Sequence, residues 1–165
     1  MDIKFKQLID ARKTGERMHK MVEKHYLDMA PWASCSLIEI FDIIKKLPFQ
    51  PDPPGMELIK RPLYTMEQIG PGGDCDDKAI ALASWAKLNG IPYNFVGVGR
   101  KKPGVKYPPG KKINLTHVFA ILKIDNKWIF ADCTYSHNIL GQVLGGYDRK
   151  ELLHPHGRAT PQRIR

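Results

Sequence analysis

The sequence predicts an α+β domain, and three observations carry that prediction. Apolar residues in the first third of the chain recur at helical spacing, and an alanine-rich apolar run starts directly after Gly72-Gly73-Asp74. Beyond Pro92 the composition shifts to runs rich in β-branched and aromatic residues, so helices are followed by an antiparallel sheet. With 165 residues the chain fits a single domain, 1–165, long enough to bury a core without disulfides or metal. We read it as a helical part over 1–50, a core over 64–135 and a basic tail over 148–165.

From Ile3 to Met29 the apolar positions Phe5, Leu8, Ile9, Met18, Met21, Val22 and Met29 predict one broken helix or two short ones, interrupted near Gly15. After Ala30-Pro31, Ser34 or Ser36 can cap a second helix carrying Leu37, Ile38, Ile40, Phe41, Ile43, Ile44 and Leu47. That helix is apolar almost all round and is expected to be buried. Residues 48–55, PFQPDPPG, cannot continue a helix or a central strand and form a stiff connector. The strongest helix runs from Cys75 to Leu88 and ends at Asn89-Gly90. Strands are expected over 93–98, 116–124 and 128–134, the last two joined by an Asp125-Asn126 turn. Between the first two lies a long basic, Pro- and Gly-containing loop over 100–112, either a solvated connection or a lid that selects substrate by charge. The tail after Tyr147 reads as basic and poorly packed.

The formal charge of +9 favours polyanionic surroundings without dictating a fold, and nucleic-acid binding is a minor reading. Three cysteines, Cys35, Cys75 and Cys133, are too few and odd in number for a secreted disulfide framework. No signal-peptide or membrane-spanning pattern is seen, so the expectation is a cytoplasmic protein, or a virion-associated one if phage-encoded. Cys35 and Cys133 read as small core residues.

Cys75 stands where a Gly-Gly turn meets a helix start, and exposed N–H groups there can stabilise a thiolate. Asp74, Asp76 and Asp77 oppose that charge, so activation needs an imidazolium, and Cys75 is then expected to titrate below an ordinary cysteine. His117 opens one strand and Asp132 closes its partner. If Asp125-Asn126 is a two-residue turn, Phe119 opposes Asp132 and His117 opposes Thr134, leaving His117 and Asp132 diagonal neighbours on one face. A slip of one residue would separate them. In that frame Asp132 orients His117, His117 takes the Cys75 proton, and the thiolate attacks a carbonyl with the Cys75 N–H as one oxyanion donor. Gln68 and Tyr64 are the candidates for a second donor, with Gln68 preferred because an amide donates without charge. No cofactor is implied. A metal held by Asp74, Asp76, Asp77, Cys75 and His117 is set aside, because the cluster lacks calcium-loop spacing and no paired cysteines support zinc.

The segments GGDCDDKAIALASWAKLNGIPY, LTHVFAIL and NKWIFADCTY together resemble the transglutaminase-like cysteine enzyme superfamily, over about residues 64–135. The compact form, with its Asp-Cys-Asp-Asp turn, is similar to the bacterial and bacteriophage branch. The resemblance implies a papain-related core, with Cys75, His117 and Asp132 as catalytic residues, and chemistry on protein or peptide amides. Hydrolysis by a protease or amidase is the leading reading, ahead of cross-linking. The competing class is a non-catalytic phage or prophage structural or binding protein that keeps the fold. The chain departs from the common pattern in its long basic insertion before His117 and in lacking an upstream tryptophan near the nucleophile.

Overall fold

The computed structural model describes residues 11–67, 70–142 and 145–155. Helix α1 spans Ala11–His25 and passes directly into a 3₁₀ segment, Tyr26–Trp32, so the expected broken helix is a change of pitch near Tyr26 rather than a break at Gly15. Gly15 is instead a contact point: a Cβ there would lie 2.8 Å from that of Leu153. Helix α2, Leu37–Lys46, is capped by Ser36, whose Oγ accepts from the Glu39 N–H while Glu39 accepts from the Ser36 N–H. It is not buried all round. Ile40, Phe41 and Ile44 face the core, but Ile38 is 66% exposed, because none of the described residues covers the outer side of α2. A short helix α3, Pro62–Met66, starts on a proline at its first position and is absent from the sequence-based reading.

Helix α4, Cys75–Leu88, occupies the span expected of it and is the centre of the packing. It is buried on nearly every side, which is why its apolar residues show little periodicity: Ala79, Ala81, Ala83 and Ala86 let the 3₁₀ segment, α1 and the sheet approach closely.

The sheet is antiparallel throughout, in the order β3-β2-β1-β4, with β1 at Tyr93–Gly99, β2 at His117–Ile124, β3 at Lys127–Ala131 and β4 at Arg149–Leu153. Val118, Ala120, Leu122 and Phe95 join the main core with α4. Val96, Val98, Phe119, Ile121 and Leu152 form a smaller cluster on the opposite face, with Phe130 and Tyr147.

Strand β4 corrects the expectation that the chain is a poorly packed tail from residue 148. Arg149, Lys150 and Glu151 make the segment read as polar, but it pairs with β1 along Phe95↔Leu153 to Gly99↔Arg149 and buries Leu152 and Leu153. Charged residues are what an edge strand carries, and only the pairing partner reveals the strand. The remainder of the tail, 156–165, lies outside the described residues. Among the described residues no helix is long and apolar enough to cross a membrane.

Candidate functional site

The hairpin register decides the site. Asp125 and Asn126 both adopt positive φ, 48° and 64°, the type I′ geometry of a two-residue turn, and Ile124 pairs with Lys127. The pairing continues through Leu122↔Ile129 to Ala120↔Ala131. Extended by one residue on each strand, it sets Phe119 against Asp132, in the even register anticipated above. His117 and Asp132 therefore fall on one face, and His117 Nε2 lies 2.6 Å from Asp132 Oδ2.

Asp132 is held on its other side as well. Its Oδ1 accepts from the Thr134 N–H at 3.0 Å, and its carbonyl accepts from buried Asn138 Nδ2 at 3.1 Å. Burial by itself raises this carboxyl, but the bond to His117, the imidazole charge and the Thr134 bonds outweigh it and hold Asp132 below the usual carboxylate range. It is thus ionised at neutral pH and fixes His117 through Nε2, leaving Nδ1 free of that bond.

Cys75 is the first residue of α4, after the N-cap Asp74. Two glycines shape its approach. Gly72 has φ +107, and a Cβ there would stand 2.2 Å from Pro48 O; a Cβ on Gly73 would strike Asp77 at 2.5 Å. The turn is pinned to the proline-rich connector by Gly73 N donating to Pro48 O and Gln50 N donating to Gly73 O. Cys75 is half-buried against the core, and the backbone N–H of Val118, the residue after His117, acts to lower the pKa of its thiol. Strand β2 thus carries His117 and, at the next position, an N–H that acts on the thiol, and the charge of Asp132 is felt at Cys75.

The electrostatics differ from expectation in one respect. Burial first, then Asp76 and Asp74, push the Cys75 thiol well above an ordinary cysteine, despite the Val118 N–H. The expected dominance of the imidazolium assumed that the neighbouring carboxylates could turn toward solvent. Asp76 and Asp74 are buried and cannot, so Cys75 is a thiol at neutral pH. Asp77, fully enclosed, is itself raised to about 7 by burial; it accepts from the Lys60 N–H at 2.8 Å and, at 3.4 Å, from the Asp74 N–H.

Several residues near this arrangement carried no signal in the sequence. Lys78, one turn along α4 from Cys75, is buried and donates to Leu47 O at 2.6 Å and Thr134 O at 2.8 Å, tying α4 to the segment that carries Asp132. Tyr135, 43% exposed, stacks on His117 at 6.3 Å between ring centroids and is flanked by Phe49 at 5.6 Å and His137 at 5.6 Å. The aromatic surface beside His117 is assembled from three separate stretches, so no linear motif announces it.

Tyr64 is half exposed on α3, with the Arg61 guanidinium 5.8 Å from its ring centroid. Gln68 lies outside the described residues. Cys133 is buried, donates to Lys78 O, and is pushed up by burial; Cys35 is half-buried against the core. Asp52 from the connector joins Asp74 and Asp77 to form a group whose carboxylate oxygens lie within 4.8 Å of one another, beside the Lys60 ammonium at 3.8 Å from Asp77.

No protein-family model matches the chain, and no curated protein matches it in sequence. Among solved structures it is similar to a candidate protease from Parabacteroides distasonis, at 16% identity and a TM-score of 0.57, over 92% of this chain and 31% of that one. A candidate cysteine protease from Cytophaga hutchinsonii matches at 17% identity and a TM-score of 0.45, over 73% of this chain and 38% of that one. Calcium-bound LapG of Legionella pneumophila matches at 12% identity and a TM-score of 0.49, over 88% and 84%. The chain spans about a third of the length of the first two. At 16% identity the likeness to the Parabacteroides distasonis protein establishes a shared fold, the α+β architecture of helices packed on an antiparallel sheet, and nothing of the chemistry.

Proposed function

We propose that this chain is a cysteine-dependent enzyme that transfers the acyl group of a protein or peptide amide through a Cys75 thioester, with water as the usual acceptor. The carrying observation is the 2.6 Å contact between His117 Nε2 and ionised Asp132, made by β2, the strand packed against the helix that Cys75 opens. The fold shared with a candidate protease from Parabacteroides distasonis supports the choice of an amide substrate.

Because Cys75 rests as a thiol, proton removal accompanies attack. His117 Nδ1 takes the S–H proton as sulfur bonds to the amide carbon, and Asp132 stabilises the imidazolium that forms. The tetrahedral oxyanion is met by the Cys75 N–H at the helix start, where first-turn N–H groups have no partner within the helix. The C–N bond then breaks, and the amine leaves with the proton held by His117. In the second half His117 takes a proton from water, the hydroxide oxygen bonds to the thioester carbon, and the C–S bond breaks. The carboxylic acid departs and sulfur regains its proton. An amine in place of water gives cross-linking by the same steps.

Incubation with a peptide bearing an electrophilic carbonyl, followed by mass spectrometry of the intact and digested protein, tests the reading. Cys75 is expected to be acylated or alkylated well before Cys35 or Cys133, and His117→Ala is expected to slow that reaction. Equal modification of the three cysteines in the folded protein would sink it.

A further inference from the structure

The loop over 100–112 holds the densest positive charge in the chain: Arg100, Lys101, Lys102, Lys106, Lys111 and Lys112, with no Asp or Glu between positions 100 and 124. Both of its roots stand at the end of the sheet that carries His117. The outgoing root follows Val98, the register partner of His117, and the returning root is bonded to the same rung by Thr116 N donating to Val98 O at 2.9 Å. The Lys101 N–H donates to Asp148 Oδ2 at 2.7 Å, and Arg149 clamps the far end by donating to Ile113 O.

The loop has a built shape. Val105 N donates to Lys102 O and Lys111 N to Pro108 O, closing two turns, and Tyr107 Oη accepts from the Lys102 N–H. The five lysines are exposed. Of the acidic groups packed nearby, Asp148 accepts from the loop's own Lys101 backbone N–H and Glu151 is held by Arg149. Arg100 lies over the Tyr147 ring at 4.8 Å, and Tyr147 stands close enough to Asp132 to feel its charge.

We propose that this loop is a recognition element for an acidic polypeptide, holding a run of Asp or Glu side chains next to the amide that is presented to Cys75. The position of that amide rests on the function proposed above; the acidic binding surface does not. A polypeptide fits better than a single-stranded nucleic acid, which binds along a charged groove with open rings on which its bases stack. Here the cations occupy one short loop, and its tyrosine ring is covered by Lys111 at 5.3 Å. A prepaid loop shape reduces the ordering cost of binding, and unneutralised lysines steer an anionic partner toward the cleft.

Binding is measured with full-length Cys75→Ser protein by fluorescence anisotropy, using a labelled Glu-rich peptide, its Gln-substituted counterpart and a single-stranded oligonucleotide of matched charge. The Glu-rich peptide is expected to bind at least about tenfold tighter than the Gln peptide at low salt and to weaken as salt rises. Combined Lys102→Gln, Lys106→Gln and Lys112→Gln should cost at least about tenfold, whereas Lys20→Gln with Lys24→Gln on α1 should cost little. In the wild-type protein, saturating Glu-rich peptide should slow iodoacetamide alkylation of Cys75, and the Gln peptide should not. Equal affinity for the two peptides, an equal loss from the α1 variant, tighter binding of the oligonucleotide, or an unprotected Cys75 would each overturn the proposal. Because affinity is read on a protein already lacking the thiol, failure of the nucleophile reading leaves it unchanged, and failure to bind leaves the nucleophile reading unchanged.

Discussion

Asp132→Asn separates charge and tautomer from shape. Asparagine is isosteric, and its amide oxygen can keep the bond from the Thr134 N–H, while Asn138 binds the backbone carbonyl and is untouched. What changes is the group 2.6 Å from His117 Nε2: a buried carboxylate that accepts becomes an amide that donates. Nε2 must then accept, which drives the ring proton onto Nδ1, the nitrogen assigned to take the thiol proton. A charge-assisted hydrogen bond is worth about 1.5–3 kcal/mol, and the tautomer reversal adds to its loss. A total of about 3–4 kcal/mol corresponds to a fall of roughly 10² to 10³ in rate, since each 1.36 kcal/mol is tenfold. The assay is the alkylation rate of Cys75 at neutral pH together with cleavage of whichever peptide amide the labelling experiment identifies. Circular dichroism should show an unaltered fold. A rate within about threefold of wild type, which is under ~0.7 kcal/mol, would remove Asp132 from the reaction.

Other expectations follow from the same geometry. Thiolate absorbance against pH should show Cys75 still protonated at and above about pH 8.5, the ordinary cysteine value, and Asp76→Asn should move the transition downward by removing a buried like charge; a transition already complete at neutral pH in the wild type would refute this. Asp77, raised to about 7 in the fold, binds a proton there that the unfolded chain releases near pH 4, so its contribution falls as pH rises between roughly those values, by at most about 1.4 kcal/mol per unit. Urea melts across that window should therefore show a more gently falling, or more steeply rising, stability for Asp77→Asn than for wild type, and parallel curves would contradict it. Gly72→Ala combines a positive φ with a Cβ 2.2 Å from Pro48 O, and should cost about 2–4 kcal/mol in denaturant unfolding while slowing Cys75 modification; a loss below about 1 kcal/mol would show that the turn relaxes freely.

The parts of the fold legible in the sequence are those governed by local rules. Helix α4 was readable because a Gly-Gly turn, an Asp cap and a closing Asn-Gly bracket an uninterrupted apolar run. The β2–β3 hairpin was readable from its Asp-Asn turn, and the two-residue turn it forms sets the register that brings His117 to Asp132. The cap at Ser36 belongs to the same class. Strand β4 was missed because an edge strand with Arg149, Lys150 and Glu151 shows no alternation strong enough to distinguish it from a basic tail. The exposed side of α2 was missed because composition says nothing about whether a neighbour is present to cover it.

The identities of Cys75, His117 and Asp132 as the residues to examine and the α+β class were therefore determined by the sequence, since turn chemistry, side-chain alternation and helix caps act over a few residues; between the even register and a slip of one residue, the structure chose the even one. Only the tertiary structure decided how these groups ionise. The burial of Cys75 itself, and then the charges of buried Asp76 and Asp74 beside it, keep Cys75 a thiol. The same holds for Lys78, which ties α4 to Thr134, for the rings of Phe49, Tyr135 and His137 beside His117, and for the basic loop rooted at His117's end of the sheet. Each joins stretches distant along the chain. Desolvation and long-range contacts are properties of the packed assembly, so no window of sequence contains them.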